Sequence, residues 1–365
     1  MKRKQIPRAE GPGNDSRRIR RKLLAWFHRE KRQLPWRGTR DPYRIWVSEV
    51  MLQQTTVGAV RSRYAPFLAR FPDLRSLARA REESVLAAWS GLGYYARARN
   101  LRKAAQVIER EHEGRLPRKP AQLEQLPGFG RYMAAAVASL AFGERAPAAE
   151  ANVTRVLSRL FAIGGIAGRR SHQDRVLSIA GRLLPRRNPG DLTAAFMDLG
   201  QTICIPREPR CPRCPVREEC RARQMGEPVR YPERRGKPRF VDVAVAAAVA
   251  RRGAHALLVR PESRRLAGMW QFPCAEGATL ERARRDLSKM IRRLGWHLTY
   301  APAGRVRHTI MNRRMQITVF QARAQSAAAV HPSIVGESRW FRRRELEKAA
   351  IPTLTRKIAK ASGFL

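Results

Sequence analysis

The sequence predicts an all-α domain that carries a cysteine-rich loop, followed by a smaller α+β domain. Three observations predict this fold class. Apolar residues recur at helical spacing up to about residue 200 and at strand spacing after about residue 240. Four cysteines lie close together between these two parts. At 365 residues, the chain is long enough to bury a hydrophobic core in each domain.

The first part shows helical periodicity from Ile19 onward, where the apolar residues Ile19, Leu23, Trp26 and Phe27 fall at i, i+4, i+7 and i+8. Turn signals such as GLGYY, LPGFG and IGGIAG separate the segments that follow. The predicted helical segments are 44–70, 82–89, 96–112, 131–142, 152–161 and 172–184. No strand pattern is convincing here, so we predict an all-α domain.

The second part begins after a stretch rich in Pro, Gly and Arg, which is typical of an exposed linker. RFVDVAVAAAVAR, HALLVR and MQITVFQAR (315–323) have strand character, and 279–296 is an amphipathic helix. The predicted domains are a basic disordered tail at 1–18, the helical domain at 19–225, the linker at 226–239 and the α+β domain at 240–365.

The composition indicates a globular protein with a polyanionic partner. Hydrophobic residues make up 43% of the chain. It contains 74 Lys and Arg residues but only 30 Asp and Glu residues, which gives a formal net charge of +44. Nucleic acid is the leading partner for such a charge. No uncharged apolar run approaches the ~20 residues that a membrane span needs. The basic N-terminus lacks the apolar core of a secretory signal, so we expect a cytoplasmic protein.

The clustered cysteines are the most specific chemical signal. Cys204, Cys211, Cys214 and Cys220 follow the spacing C-x6-C-x2-C-x5-C, and Cys274 stands apart as a buried free thiol. Clustered thiols in a cytosolic protein favour metal over disulfides. Structural zinc usually takes two close Cys pairs or adds His. Four thiolates from one loop therefore favour an iron–sulfur cube, with zinc or a disulfide pair as alternatives.

A glycine turn in LPGFGRY (126–132) predicts a hairpin between two helices. Gly128 and Gly130 permit a tight turn, and Arg131 opens the next helix. Free backbone N–H groups at such a helix N-terminus can hold a phosphate without recognising a base. The alternative is an ordinary helical hairpin with no ligand.

Two isolated acids are candidate catalytic residues. Glu49 is the only charged residue in 45–60, and helical spacing places it on the same side as Trp46 and Gln53. An acid among apolar neighbours has a raised pKa and can donate a proton near neutral pH; the alternative is a partly exposed surface acid. Glu150 precedes Asn152 at the start of a helical segment, where acids and Asn caps are both favoured, so this stretch alone leaves capping and catalysis open.

Five motifs together resemble one family: LPWR (34–37), WVSEVMLQQT (46–55), GLGYYARARNL (91–101), LPGFGRY (126–132) and MDLGQTIC (197–204). With the cysteine spacing, they are similar to the helix–hairpin–helix DNA glycosylases that hold an iron–sulfur cluster, and within them to the MutY-type adenine glycosylases. The resemblance covers residues from about 19 to 222. A weaker one relates 240–365 to the Nudix-like lesion-recognition domain of these enzymes. It implies a [4Fe-4S] cluster on the four cysteines.

The resemblance implies a catalytic site. Glu49 matches the general acid that protonates the departing adenine, and Tyr132 matches a tyrosine that borders the site. The family holds its second carboxylate as Asp in a DGNV-like motif; here the motif is EANV, so Glu150 takes that place and Asn152 keeps the asparagine. We expect Asn152 to cap the helix and to order this site.

The resemblance also implies DNA contacts and a reaction outcome. Gln54 and Tyr94 match residues that wedge into the base stack, while Trp36, Arg37 and Leu52 are expected at the base pocket. Related lyases such as endonuclease III carry a lysine nucleophile where this chain has Tyr132, so we expect a monofunctional enzyme that leaves an abasic site.

The C-terminal domain departs from the family in its lesion contact. A Phe-Ser-His stretch often recognises 8-oxoguanine there, but after His308-Thr309 this chain continues Ile310-Met311-Asn312. His308 and Asn312 can still offer hydrogen bonds. The central helix shows only Glu281 and Asp286, so the carboxylate cluster of a Mg²⁺-dependent Nudix hydrolase is missing.

The main hypothesis is therefore a monomeric, nucleoid-associated adenine glycosylase that acts on A:8-oxoguanine or A:G mispairs in double-stranded DNA. One alternative is a glycosylase of the same superfamily that removes T or U from G mispairs. Another is a mismatch-binding protein without catalytic activity, against which the carboxylates at 49 and 150 argue.

Overall fold

The structure is a computed structural model that describes residues 14–233, 236, 239–261, 268–293, 296–324 and 337–365. Residues 1–13 of the predicted tail and residues 234–235 and 237–238 of the predicted linker lie outside this range. Two compact units are present: Met1–Ala78 with Lys103–Gly236, and Arg79–Arg102 with Lys237–Leu365. No helix in the described ranges is long and apolar enough to cross a membrane.

Residues 14–230 are helical in their regular parts. Its helices are α1 (Asn14–Glu30), α2 (Pro42–Leu52), α3 (Val57–Arg70), α4 (Leu74–Arg79), α5 (Glu82–Ala88), α6 (Ala96–Glu111), α7 (Pro120–Leu123), α8 (Arg131–Phe142), α9 (Ala151–Leu160), α10 (Arg170–Leu183), α11 (Pro189–Thr202) and α12 (Arg221–Gln224). Short 3₁₀ turns cover Cys211–Arg213 and Pro228–Arg230.

The apolar stripe that begins at Ile19 faces a helical core, as its spacing predicts. Ile19, Leu23, Trp26 and Phe27 are all buried on α1, against residues of α9, α10 and α11. Within the described residues, the helix extends back to Asn14, five residues before the stripe. Burial of one face of α1 thus gives a helix of strongly charged sequence its place in the fold.

The predicted helix over 44–70 is two helices, α2 and α3. The turn between them places Gln54 at a φ of 54°. The Thr56 side chain then caps α3 by accepting a hydrogen bond from the Ala59 amide at 3.4 Å. The apolar spacing hides this break, because Met51 before it and Val60 after it are both buried.

The C-terminal part is a mixed sheet with helices on both faces. Its elements are β1 (Val241–Arg252), β2 (His255–Arg260), β3 (Cys274–Gly277), α13 (Leu280–Arg292), β4 (Trp296–Ile310), β5 (Arg313–Ala324), β6 (Glu337–Arg342), α14 (Arg343–Lys348) and α15 (Thr353–Ala361). The strand order is β4-β5-β1-β2-β6, and β3 pairs with β1. β1 and β5 run parallel, while the other pairs are antiparallel.

Strand β1 separates the two cores of this sheet. Val245, Ala247 and Val249 face the core that includes residues of α14 and α15, whereas the alternate residues of the strand face α13. This alternation is the period of two expected of a strand that is buried on both faces. The predicted α+β domain is confirmed.

Candidate active site

Helix α2 carries Glu49 into the interior of the first unit. The N-cap of the helix is Asp41, whose side chain accepts hydrogen bonds from the amides of Tyr43 and Arg44 at 2.9 and 3.2 Å. Pro42 occupies the first helical turn, where a missing N–H costs no intrahelical bond. Glu49 lies on the buried side, with 7% of its surface exposed. Glu49 is therefore buried rather than a partly exposed surface acid, and its role as a proton donor stays a prediction.

Tyr132, at the start of α8, contacts this acid directly. Its hydroxyl donates a hydrogen bond to Glu49 Oε2 at 2.9 Å. The contact is possible because the preceding turn packs on α2, where the Phe129 ring stacks on Trp46 with centroids 5.4 Å apart. Burial, followed by the Glu49 charge, raises the pKa of the Tyr132 phenol well above its ordinary value. The phenol therefore stays protonated at neutral pH and serves as a donor.

Four influences set the pKa of Glu49. Burial is the largest and raises the pKa; the hydrogen bond from Tyr132 and the charge of Arg37 lower it, while the charge of Glu150 raises it. The net pKa is above the ordinary value. Such a carboxyl keeps its proton to higher pH than a solvated one, as a proton donor near neutral pH requires.

Glu150 is the N-cap of helix α9. Its Oε2 accepts hydrogen bonds from the Asn152 amide at 2.7 Å and from Asn152 Nδ2 at 3.2 Å, and its Oε1 accepts from the Val153 amide at 3.1 Å. The expectation that Asn152 caps the helix was wrong, because Glu150 takes the cap position. The two carboxylate oxygens of Glu150 accept from two backbone amides, and the helix N-terminus stabilises its negative charge.

Asn152 links this carboxylate to helix α11 through Arg155. Arg155 Nη2 donates to Asn152 Oδ1 and to the carbonyl of Gly200, both at 2.7 Å, and its Nε donates to the carbonyl of Cys204 at 2.8 Å. A Cβ on Gly200 would lie 2.7 Å from the Asn152 Cβ, so the two helices meet where only a glycine fits. The side-chain direction of Asn152 is thereby fixed.

Arg37 is held next to the acid by a carboxylate. Asp198, which is 1% exposed, accepts hydrogen bonds through Oδ1 from Arg37 Nη2 at 3.2 Å and from Arg32 Nη2 at 2.7 Å. Trp36 is buried and packs edge-on against Tyr64, with centroids 5.5 Å apart. Leu52, at the end of α2, is partly buried.

The cysteine loop, residues 204–220, packs against the same helical core. Cys204, Cys214 and Cys220 contact the core that includes α9 and α11. Arg159, itself 2% exposed, approaches the Cys204 sulfur at 3.4 Å through Nη1. In the described parts of the chain, no three Cys, His, Asp or Glu side chains converge on the position of a single metal ion.

Comparisons with known proteins identify the family of each part of the chain. The profile of the HhH-GPD superfamily base excision DNA repair proteins matches residues 47–179, and that of the NUDIX domain matches residues 244–361. The structure of a thermostable thymine-DNA glycosylase is 29% identical in sequence, with a TM-score of 0.52, and covers 57% of this chain and 97% of that one.

Curated relatives decide the family. An adenine DNA glycosylase of Homo sapiens is 33% identical over 93% of this chain and 73% of its own length. The chain belongs to the adenine DNA glycosylases. A relative of the same name from Mycobacterium tuberculosis is 40% identical over 60% of this chain and 70% of its own length. The predicted family, fold class and enzyme class are confirmed.

The predicted site residues of this adenine DNA glycosylase family member divide between the two compact units. Glu49, Tyr132, Glu150, Asn152 and Arg37 gather in the first unit through the contacts above. The second unit holds Tyr94, His308 and Asn312.

The remaining predicted DNA contacts lie in turns or at a helix start. Gln54 is exposed in the turn between α2 and α3, and Gly128 has a φ of 79° in the hairpin turn. Gly130 caps α8 without a side-chain acceptor. Arg131 is exposed, and its Nη1 lies 3.4 Å from Asp174 Oδ1. The glycine cap leaves the first amides of α8 available to a ligand.

Sequence reasoning missed the residues that orient the site: Arg155, Asp198, Arg32 and Gly200. Arg155 could have been found by its spacing, because residues three apart on a helix are neighbours and Arg155 follows Asn152 by three. Asp198 and Gly200 lie in the MDLGQTIC motif, but only the tertiary structure shows what they contact.

Proposed function

We propose that this chain is a base-excision-repair glycosylase that hydrolyses adenine from A:8-oxoguanine and A:G mispairs in double-stranded DNA and leaves an abasic site. The observation that carries the proposal is one arrangement. A buried acid of raised pKa, Glu49, accepts a hydrogen bond from Tyr132 and lies within electrostatic range of Glu150, which is fixed at a helix N-terminus.

The two acids support two different roles in the reaction. Extrusion of the adenine from the duplex costs about a few kcal/mol. Glu49 donates its proton to the departing base, which makes the base a better leaving group. Loss of the base builds positive charge on the sugar, and the carboxylate of Glu150 stabilises that charge. Water then adds to the sugar.

The residues around Glu49 support a monofunctional reaction. A lyase needs an amine that attacks the sugar and forms a Schiff base. The side chain that contacts Glu49 is Tyr132, and the raised pKa of its phenol keeps it from acting as a nucleophilic phenolate. Hydrolysis with water as the nucleophile is the reaction that these groups support.

DNA binding draws on both units. In the first unit, the N-terminus of α8 with Gly128, Gly130 and Arg131 binds a phosphate, and Gln54 enters the base stack. Trp36, Arg37 and Leu52 line the adenine pocket. In the second unit, Tyr94 enters the stack, and His308 and Asn312 contact the lesion strand.

The Nudix-like domain serves DNA recognition rather than nucleotide hydrolysis. Glu281 and Asp286 are both exposed on α13, among many arginines. A Mg²⁺ site would need several carboxylate oxygens directed at one point. The described residues offer no such group.

A [4Fe-4S] cluster suits the chemistry of the cysteine loop. Cys204, Cys211, Cys214 and Cys220 would hold it through their thiolates, the ligands that such clusters take in proteins. Burial is the main cause that raises the pKa of Cys214 to about 12, and the charges of Cys204, Cys220 and Cys211 also raise it, so the four thiols are neighbours. When bound, such a cluster supplies a cross-link of the loop and electron transfer.

One experiment tests the reaction and its specificity. Excess protein is incubated with duplexes that carry A:8-oxoguanine, A:G, T:G or U:G, followed by alkali to reveal abasic sites. We expect alkali-dependent breaks in the two adenine duplexes. Breaks only in T:G or U:G would make it a thymine or uracil glycosylase, and strand breaks without alkali would make it a lyase. Tight binding with no product would make it a mismatch-binding protein.

Two further measurements test the cofactor and the assembly. Iron and acid-labile sulfide in anaerobically purified protein should each approach four per chain, and zinc in their place would contradict the cluster. We propose a monomer that acts on the nucleoid in the cytoplasm; sedimentation of the free protein at several concentrations checks its oligomeric state.

A further inference from the structure

The loop that carries Tyr94, residues 90–95 (the Tyr94 loop), has an unfavourable backbone. Gly91 and Gly93 have φ angles of 97° and 69°, and Tyr94 has a φ of 46°. A residue with a side chain adopts this left-handed region only where the surrounding structure fixes it. The Tyr94 side chain is 48% exposed, so its own burial does not fix the loop.

Contacts within the loop region hold part of this backbone. The Trp89 indole donates a hydrogen bond to the carbonyl of Gly93 at 3.1 Å. Arg97 Nη2 donates to the carbonyls of Leu92 and Gly93 at 3.0 and 3.1 Å. The same guanidinium lies 5.4 Å from the centroid of Trp89 and 5.5 Å from that of Tyr94. The Tyr94 ring thereby makes a cation–π contact with the Arg97 guanidinium.

Two anchors from the C-terminal part of the same unit hold the two ends of the loop. Arg356, on α15, donates through Nη2 to Ser90 Oγ at 3.2 Å. The Tyr95 hydroxyl, in a residue that is 6% exposed, donates to the carbonyl of Ile351 at 3.2 Å. Ser90 directly precedes the glycine turn, and Tyr95 directly follows Tyr94.

Helix α5, which leads into the loop, is held by the segment between β2 and β3 as well. The Trp270 indole donates to Glu83 Oε1 at 3.1 Å, and the Arg260 guanidinium lies 4.3 Å from the Trp270 ring centroid. A Cβ on Gly268 would lie 3.3 Å from Glu82 Oε1 and 3.4 Å from Leu86 Cδ1. The segment from Arg79 to Arg102 therefore belongs to the same compact unit as the Nudix-like domain.

We propose that Tyr95 and Arg356 are positioning residues for Tyr94. Through them the Nudix-like domain fixes the residue that enters the base stack, beyond any contact that this domain makes with the lesion. This inference rests on the proposed function, in which Tyr94 unstacks bases beside 8-oxoguanine. An inserted side chain must resist the stack that it opens, and a loop anchored at both ends is stiff enough to do so.

The test uses the full-length Glu49→Gln chain, so that bound DNA stays intact. A duplex carries 2-aminopurine next to 8-oxoguanine, and its fluorescence rises when the probe loses its stacking partner. The rise on binding at saturating protein should fall at least about threefold in Tyr95→Phe and in Arg356→Met, since each variant loses one anchoring hydrogen bond. Tyr94→Ala should abolish the rise.

Tyr43→Phe is the matched control, because the Tyr43 hydroxyl is also buried and donates to a carbonyl, that of Phe71, at 2.7 Å. It should keep the full fluorescence rise. An unchanged rise in both Tyr95→Phe and Arg356→Met would overturn the positioning role, as would equal losses in Tyr43→Phe. The readout needs no base release, so a failure of the proposed glycosylase activity would be seen separately, in the alkali assay.

Discussion

The two acids of the first unit occupy opposite kinds of environment. Glu49 lies in the last turn of helix α2, buried, with the Tyr132 hydroxyl as its hydrogen-bond donor. Glu150 lies at the start of a helix, where two backbone amides and one side-chain amide donate to it. Burial disfavours the charged form of a carboxyl, whereas a helix N-terminus favours it. The fold thus gives one residue type two roles, proton donor and fixed anion.

The largest effect should come from removing the proton donor. Glu49→Gln keeps the shape of the side chain but cannot donate an acidic proton to the base. The single-turnover rate of adenine release should fall by about 10²–10⁴-fold, with DNA affinity retained. Glu30→Gln makes the same substitution at an exposed position and should keep the rate. A near-normal rate in Glu49→Gln would exclude the residue from the proton transfer.

Substitution of Glu150, the fixed anion, should lower the rate of adenine release nearly as much. Glu150→Gln removes the charge that stabilises the sugar cation and should slow single-turnover release by about 10²-fold. Glu150→Asp keeps the charge but shortens the reach to the amides of Asn152 and Val153, so its rate should stay within about tenfold of the parent chain. If Gln and Asp behave alike, the carboxylate acts as a helix cap only.

Loss of the residue that orients Asn152 should have an intermediate effect. Arg155→Met leaves the Gly200 and Cys204 carbonyls without this donor and frees the Asn152 side chain. We expect release to slow by about tenfold, because the site loses its fixed geometry without losing either acid. Arg110→Met, at an exposed arginine, is the control. An unchanged rate would show that Asn152 is held without Arg155.

The smallest effect should be a shift in pH dependence. The Tyr132 hydrogen bond lowers the pKa of Glu49, so Tyr132→Phe should raise that pKa further. Glu49 must be protonated to act, and activity is lost as pH rises through its pKa. The alkaline limb of the pH–rate profile should therefore move to higher pH in Tyr132→Phe. A shift to lower pH would contradict this account of the hydrogen bond.

Sequence patterns predicted the features that depend on residues close to one another in the chain. The stripe at Ile19 and the buried acid at position 49 follow from periodicity and from a lone charge among apolar residues. The break at Gln54 was missed because both flanking helices bury apolar residues at compatible spacing. The cap at Glu150 was assigned to Asn152 because short polar side chains are the usual caps, and no pattern shows that a glutamate reaches two amides.

Tertiary partners lay beyond what the sequence could show. Asp198 holds Arg37 across 161 positions of the chain, and Ser90 and Arg356 are 266 apart. Their pairing depends on how the helices and the sheet pack, and it cannot be predicted from composition or spacing. The family resemblance located the chemical groups, while their orientation comes from these long-range contacts.

The close approach at Gly200 has a consequence for local opening of the protein. Helices α9 and α11 meet there without room for a methyl group, and Arg155 joins both to the carbonyl of Cys204. Such a junction opens as one cooperative unit. Backbone amides over residues 150–156 and 198–204 should then exchange their hydrogens with a shared protection, so that the acid site and the start of the cysteine loop unfold together or not at all.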